Sequence, residues 1–466
     1  MSLWQKNVYP ILPVIAQNLA ISAYGLQWHH RRFGGIFNDE LKKFKDREFY
    51  SELQWKAYQT IELRKLLLHS FKNVKFYHEK YAKEGFKESD FRKFEIEDLR
   101  KLPYLEKEEL RNFGTSDLLS VSREKNGQFF SSSGSTGTPT RILFSNNFHR
   151  RWSAAFEARI RHWAGVDRHD PRGMIGGRRV VPTGNASPPF YRYNCAERQV
   201  YFSAYHISET NVGNYLMAIS KYKLEYMTGY AMSNFFLAKM INDQSLCPPQ
   251  LKAVITSSEK LTNNMRETIS KVYGCKVFDS YSGVEACGLI SESEKGEMLI
   301  SPDVGIVEVI NSVGEYVPPG GTGEVVSTGL LNYDQPLIRY RIGDEITLSE
   351  SKTTKCGRSM SIVKEINGRV EDKVIGPDGR QMVRFHGIYV DILGLVAAQL
   401  VQLEKNTFHI NLVVDSLYNI TSESIISSRL KSQLGEVKVE YHYLQEIPKN
   451  KNGKFKAVVS KLGEEK

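Results

Sequence analysis

The stretch Leu251-Lys252-Ala253-Val254-Ile255-Thr256 is followed by Thr262 to Tyr273 and then by Lys276-Val277-Phe278-Asp279-Ser280. The outer segments are short apolar runs rich in β-branched residues, and the middle one keeps apolar positions at helical spacing. The three read as strand, helix and strand. A unit of this kind implies two parallel strands in one sheet, with ligands gathering at their carboxyl ends. Both ends carry polar groups: Ser257-Ser258-Glu259 after the first strand and Tyr281-Ser282-Gly283-Val284-Glu285 after the second. A glutamate in a turn is ordinarily solvated surface. Glu285, four residues beyond an aromatic at a strand end, is a candidate contact for a metal or a nucleotide.

A second stretch, Ser131-Ser132-Ser133-Gly134-Ser135-Thr136-Gly137-Thr138-Pro139-Thr140, sets hydroxyl side chains among glycines. Glycine lets the backbone turn and approach a ligand, and each Ser or Thr adds a donor to the exposed N–H groups, a combination suited to polyphosphate. A flexible linker has the same composition. The flanks favour a packed unit, because Gln128-Phe129-Phe130 and Arg141-Ile142-Leu143-Phe144 read as two short strands joined by a hairpin-like turn. It is not a Walker loop, whose lysine is absent.

At 466 residues and 41% hydrophobic content, the chain is too long for one ordinary core, so two or three domains of a soluble globular protein are expected. The net charge of +10 favours anionic partners such as nucleotides, nucleic acid or a membrane surface. Cys195, Cys247, Cys275, Cys287 and Cys356 are scattered and never in a CxxC spacing, which argues against a disulfide framework or a cysteine zinc site and makes a cytoplasmic location the default. Tyr9 to Leu26 is the candidate targeting signal, yet Pro10, Pro13, Gln17 and Asn18 interrupt it where a span needs about twenty apolar residues. It reads as a docking helix, with no transmembrane segment expected. Peripheral membrane contact through it and Arg31, Arg32, Lys42 and Lys43 stays open.

Residues 36 to 112 carry apolar positions at helical spacing, among them Ile61, Leu63, Leu66, Leu67, Leu68 and Phe71, as a helical layer over a sheet would. Asn147 to Trp163 reads as a helix, and between His149 and Val180 stand eight arginines and three histidines. With Trp152, Phe156 and Trp163 interleaved, that run could stack nucleic acid, but no recognised nucleic-acid module surrounds it and an anionic substrate or coenzyme phosphate fits better. Gly305 to Ile310 and Gly323 to Ser327 are β-rich and flank the turn cluster Pro318-Pro319-Gly320-Gly321. They lead to Pro336-Leu337-Ile338-Arg339-Tyr340-Arg341-Ile342-Gly343-Asp344, where Asp344 either closes a turn or accepts hydrogen bonds from ribose hydroxyls. Gly368-Arg369-Val370-Glu371-Asp372 is a charged break, and a compact α/β stretch of about a hundred residues follows as a separate small domain. It ends in Pro448-Lys449-Asn450-Lys451-Asn452-Gly453-Lys454-Phe455-Lys456, either a basic tail or a lysine on a glycine-hinged loop able to enter a site built by the other domain.

In this order the pieces resemble the adenylate-forming superfamily of acyl-coenzyme A synthetases, luciferases and peptide-synthetase adenylation domains. The resemblance spans five motifs over roughly 330 residues. Thr140 after Thr138-Pro139, where many relatives have lysine, is similar to the phenylacetate-coenzyme A ligase branch. Gly379-Arg380, Tyr205-His206-Ile207-Ser208 and Gly453-Lys454-Phe455 are similar to a subgroup associated with capsular polysaccharide biosynthesis. The resemblance implies an α/β fold: a large N-terminal domain (1–368, with 1–112 a mainly helical leader) of mixed and parallel sheets flanked by helices plus a β-rich part. A hinge (369–373) and a small mobile α+β C-terminal lid (374–466) would follow it.

It also implies ATP, Mg²⁺ and coenzyme A as ligands. Ser132, Ser133, Gly134, Ser135, Thr136, Gly137 and Thr138 would hold the β- and γ-phosphates, Tyr281 with Ser282 would meet the adenine, and Ser258 and Glu259 would border it. Glu285 would help bind Mg²⁺, Asp344 the ribose, and Arg369 ribose or phosphate. Lys454 would bridge the substrate carboxylate and the α-phosphate. Tyr205, His206, Gly229, Tyr230, Gly283 and Val284 are the candidate acid pocket. The sequence departs from the family pattern at Ser282 (usually Gly), Ile342 (usually Thr) and Glu371 (usually Asp), none of which removes a mechanistically required charge. The expected activity is ATP-dependent activation of a carboxylic acid followed by transfer to coenzyme A. Two alternatives stand beside it: transfer to an amine such as an amino sugar of a surface polysaccharide, and a catalytically silent nucleotide- or nucleic-acid-binding protein.

Overall fold

The computed structural model describes residues 8–131, 139–178, 180–182, 187–204, 206–259, 261, 263–367, 374–382, 386–389, 392–445, 447 and 458–462. The readings placed on Ser132 to Thr138, Tyr205, Arg369 with its hinge, and Lys454 lie outside the described residues.

The hairpin comes first: β1 (Gln128–Ser131) pairs antiparallel with β2 (Arg141–Phe144), Ser131 opposite Arg141, so the hydroxyl stretch joins two paired strands. Next come β3 (Arg172–Gly176), β4 (Tyr191–Asn194), β5 (Gln199–Ser203), β6 (Tyr226–Tyr230), β7 (Ala253–Ser257) and β8 (Lys276–Tyr281). The β-rich part supplies β9 (Ile290–Glu292), β10 (Met298–Ile300), β11 (Gly305–Ile310), β12 (Thr322–Gly329), β13 (Tyr340–Leu348) and β14 (Ile362–Ile366). Among the described residues, β3 to β14 form one twelve-stranded sheet in the order β11-β12-β13-β14-β10-β9-β8-β7-β6-β3-β5-β4. Strands β5, β3, β6, β7 and β8 run parallel. The β-rich part is therefore an antiparallel wing of the same sheet, joined through β8 and β9.

Strands β7 and β8 are apolar on both faces because helices cover both. Ala253, Ile255 and Phe278 pack with Phe44, Leu63, Leu66 and Leu67 of the N-terminal helices, whereas Val254 and Val277 pack with Leu237, Ile269 and Tyr273 on the opposite side. Each fully buried Leu contributes about 1.5–3 kcal/mol. The exposed Lys65–Glu62 pair on the same helix contributes about 0.3–0.5 kcal/mol, so apolar burial holds that layer in place. The helix Glu52–Asn73 starts at a capping box of Ser51 and Gln54. The helix Val14–Phe33 docks on β4, where Asn18 accepts from the Tyr193 N–H at 2.9 Å and Ser22 from the Cys195 N–H at 3.0 Å. Among the described residues, no helix is long and apolar enough to cross a membrane.

The arginine-rich run is turned largely inward. Arg159 donates to Asp303 and to the Phe44 carbonyl, each at 2.9 Å, and Arg47 reaches the same carboxylate at 3.2 Å. Arg161 donates to Glu157 at 2.5 Å, while Arg32 and Arg172 both pair with the buried Glu197. Trp163 is buried, donates to Glu48 at 2.8 Å and lies under the Arg358 guanidinium. These charges tie the first fifty residues to the sheet, and removing one partner of such a buried pair costs about 3–5 kcal/mol. Arg159, Arg161 and Arg172 of the run are thus spent on the fold, whereas Arg150, Arg151 and Arg168 are half-buried and Arg178 is exposed. Arg31, too, is committed inside, to the Phe144 carbonyl at 2.6 Å and Asn146 at 2.8 Å.

Two further sheets, one of two strands and one of four, are separate from this sheet in their hydrogen bonding. A short hairpin of β15 (Val374–Ile375) and β16 (Gln381–Met382) precedes β17 (Leu395–Glu404), β18 (Thr407–Val414), β19 (Lys438–Tyr443) and β20 (Val458–Ser460). The last four form a sheet in the order β19-β18-β17-β20, packed through Phe408, Ile410 and Leu412 on Ile426, Leu430 and Leu434 of the helix Ser422–Leu434.

One acid in β8 gives the fold a pH dependence. Burial raises the Asp279 carboxyl from 3.8 to about 7; the Ser280 N–H and the Thr256 hydroxyl oppose the shift, and the Glu292 carboxylate adds to it. A carboxyl raised in the folded state stabilises fully below its unfolded value and loses that contribution as pH rises through about 7. Asp279→Asn is therefore expected to be more stable than the parent above pH 7 by about 2 kcal/mol, a figure reduced because solvent reaches this half-buried group. The gap should close towards pH 4 in denaturant titrations. A pH-independent difference would contradict the assignment.

Candidate active site

The parallel strands present their carboxyl ends along one edge. Tyr230 ends β6, Ser257 ends β7 and Tyr281 ends β8, so Ser258, Glu259 and Ser282 to Glu285 continue directly from that edge. Ser258 has φ +72° and Ala286 φ +48°, a left-handed backbone that non-glycine residues rarely adopt and that is concentrated at ligand sites. Gly229 has φ +130°, and a Cβ there would stand 1.8 Å from the Ile175 carbonyl oxygen. Only glycine lets β6 and β3 approach as they do.

Glu285 is the junction of the site. It is buried, and its Oε1 accepts from the Thr140 hydroxyl at 3.3 Å and the Tyr340 hydroxyl at 3.5 Å, both from fully buried residues. Thr140 is the residue that ends the hydroxyl stretch, and Tyr340 opens β13. One carboxylate thus links three segments far apart in sequence. Its second oxygen lies 2.3 Å from where a Cβ on Gly283 would stand, so the glycine leaves room for the carboxylate.

A second contact joins β8 to β13. The Tyr281 hydroxyl donates to Asp344 Oδ2 at 2.8 Å, and burial first, then the Asp344 carboxylate, hold this phenol well above its ordinary value. Asp344 follows Gly343, whose φ of +83° turns the backbone just before it. The arginines around Asp344 are occupied elsewhere. Arg339 is bidentate to Glu308 at 2.9 and 3.0 Å and donates to the Leu102 carbonyl at 2.6 Å, and Arg341 is bidentate to Glu324 at 2.5 and 3.1 Å. They brace β13 so that Tyr340 and Asp344 meet β8.

The proposed acid-pocket residues spread along the same edge. In the order β8-β7-β6-β3-β5, Tyr230 is two strand spacings from Tyr281, on the order of 10 Å, and His206, just past β5, is four, on the order of 19 Å. The His206 ring is fixed: Nδ1 lies 2.7 Å from the Ser203 hydroxyl, and the ring stacks on Phe190 at 4.6 Å and 13°. Sequence reasoning noted Thr140 only as a branch marker and did not single out Tyr340, yet both hydroxyls meet Glu285. Asp279 also escaped it, and the available signal was an acid within an otherwise apolar strand.

Comparison with known proteins agrees with this geometry. Residues 375–461 match the CapK C-terminal domain family. The whole chain is similar to Protein CapK of Staphylococcus aureus, 24% identical over 470 residues, with 98% of this chain and 99% of that protein covered. It is 27% identical over 328 residues to phenylacetate-coenzyme A ligase of Pseudomonas putida, covering 69% of this chain and 72% of that one. The crystal structure of 2-hydroxyisobutyryl-CoA ligase in the postadenylation state shares the fold, with a TM-score of 0.57 at 19% identity, covering 89% of this chain and 91% of the other. The chain is thus similar to Protein CapK over almost its full length and to phenylacetate-coenzyme A ligases over about two thirds of it, shares the fold of an acyl-CoA ligase, and matches the CapK C-terminal domain over residues 375–461.

Proposed function

We propose that this chain activates a carboxylic acid with ATP, forming an acyl-adenylate and releasing pyrophosphate, and then passes the acyl group to coenzyme A. The observation that carries the reading is the convergence on Glu285 of the end of the hydroxyl stretch, the end of β8 and the start of β13, with Tyr281 and Asp344 in contact alongside. Three motifs of the resemblance, the hydroxyl stretch, Tyr281 to Glu285 and the segment ending in Asp344, bear on that junction. The named activities of the phenylacetate-coenzyme A ligase relatives support the same chemistry.

In this reading Ser132 to Thr138 hold the β- and γ-phosphates, and Tyr281, Ser282, Ser258 and Glu259 border the adenine. Asp344 takes the ribose hydroxyls, which would share its carboxylate with the Tyr281 hydroxyl, and Arg369 contacts ribose or phosphate. Tyr230, His206, Gly283 and Val284, with Tyr205 and Gly229, line the acid's side of the edge. A buried carboxylate framed by hydroxyls is a hard oxygen donor set, which fits Mg²⁺. Glu285 would hold that ion, whose positive charge offsets the charge on the phosphates.

An oxygen of the acid attacks the α-phosphorus, and the bond to the bridging oxygen breaks to release pyrophosphate. Both reactants are anions, so a cation must be placed where charge accumulates, and Lys454 of the basic C-terminal stretch supplies it. The segment 374–466 acts as a lid turning about 369–373. It brings Lys454 in for adenylation and then presents a second face, on which the coenzyme A thiol attacks the acyl carbonyl and AMP leaves. An amine acceptor is the second reading. It rests on the resemblance to a subgroup associated with capsular polysaccharide biosynthesis, with residues 375–461 matching the CapK C-terminal domain.

Acid-dependent ATP–pyrophosphate exchange over a panel of carboxylic acids tests the activation step, and product analysis with and without coenzyme A separates the acceptors. Lys454→Ala is expected to lose exchange by roughly a hundred- to a thousandfold, the effect of removing one transition-state-stabilising group, while still binding ATP. Exchange at the parental rate in that variant would contradict the assignment, and no exchange with any acid in the parent would favour the silent reading.

A further inference from the structure

The small C-terminal sheet carries a side-chain cluster that nucleotide chemistry does not use. In β18, Phe408, Ile410 and Leu412 are fully buried against the helix Ser422–Leu434, so the alternation of a strand puts His409 and Asn411 on the opposite face. Strand β19 runs parallel with His409 opposite Glu440 and Asn411 opposite His442. Its Tyr441 donates to the Glu423 carbonyl on the helix side, which leaves Glu440 and His442 on the face of His409.

The three side chains converge there. His409 Nε2 lies 2.9 Å from Glu440 Oε2, and the two imidazole rings are 4.6 Å apart at an angle of 54°. One nitrogen from each histidine and one carboxylate oxygen all fall within 4.8 Å of one another. On the inner side Asn411 is fixed by its bond to Gln399 at 2.8 Å. An exposed His–Glu pair alone is worth little to stability and needs no second imidazole beside it.

We propose that His409, Glu440 and His442 form a binding site for a divalent transition-metal ion of the zinc type. Two imidazoles and one carboxylate are a donor set that zinc takes with three protein ligands, leaving a fourth position for water or a group from outside. Nickel and copper favour the same nitrogen donors, whereas Mg²⁺ and Ca²⁺ demand oxygen ligands and do not compete here. Small rotations of three solvent-reaching side chains bring the ligand atoms to coordination distance. Because the ligands sit on two hydrogen-bonded strands, the backbone of the site is already in place. A bound ion would cross-link β18 to the edge strand β19 and stabilise the C-terminal sheet.

The test is titration of the metal-stripped full chain with Zn²⁺, followed by calorimetry and by thermal unfolding. The expected result is one saturable equivalent that survives excess Mg²⁺ and raises the melting temperature. Binding should weaken at least about tenfold, the effect of losing even an outer-shell partner, in His442→Ala and in His409→Gln. Both variants lie on an exposed face, and circular dichroism without metal checks that they fold. Absence of saturable binding would overturn the proposal. Binding equally tight in both variants would overturn it as well, by assigning the ion to other donors such as the free cysteines.

Discussion

The structure depends on a buried carboxylate that has to be satisfied. Glu285 stands four residues beyond the parallel strand β8, buried where leaving it without donors would cost several kcal/mol. The hydroxyls of Thr140 and Tyr340 meet that requirement, and in doing so they hold the hydroxyl stretch and β13 against the carboxyl edge of the sheet. The Tyr281–Asp344 bond repeats the arrangement one step away. A site assembled this way is pre-formed by the demands of burial: the bonds that satisfy the acid also fix the distances between motifs that would grip different parts of one ligand.

The basic composition divides along the same lines. Arg159, Arg161, Arg172, Arg339 and Arg358 are buried and engaged with Asp303, Glu157, Glu197, Glu308, and Glu48 with Glu294. Their role is to carry the N-terminal helices and β13 to the sheet at set positions. Because such pairs are neutral, the excess of lysine and arginine over acids is carried by the remaining residues. In the Arg-Tyr-Arg of 339–341 both arginines are braces, paired with Glu308 and Glu324, and the tyrosine between them reaches Glu285.

Much of this architecture was legible from local pattern. The strand–helix–strand unit at 251–281, the hairpin at 128–144 and the helical layer over 36–112 follow from periodicity and turn chemistry, because short apolar runs, turn residues and helical spacing are all contained in local windows. The joining of the β-rich wing to the parallel strands was not, since the pairing of β8 with β9 depends on a register that no short window encodes. Pairings across long loops were equally hidden. Thr140 meets Glu285 across 145 residues and Arg159 meets Asp303 across 144, and nothing in either residue's own surroundings names its partner. Motif order carried what local physics could not, which is how Tyr281 and Asp344 were both singled out before their contact was seen.

The central claim is that the segments converging on Glu285 bind one nucleotide together. Hydrogen–deuterium exchange of the full chain with and without MgATP tests it most directly. The account predicts that the amides of 281–286 and 340–344 and the end of the hairpin at Thr140 slow their exchange together. Protection confined to the N-terminal helices or to the C-terminal sheet, with those three segments unchanged, would contradict it.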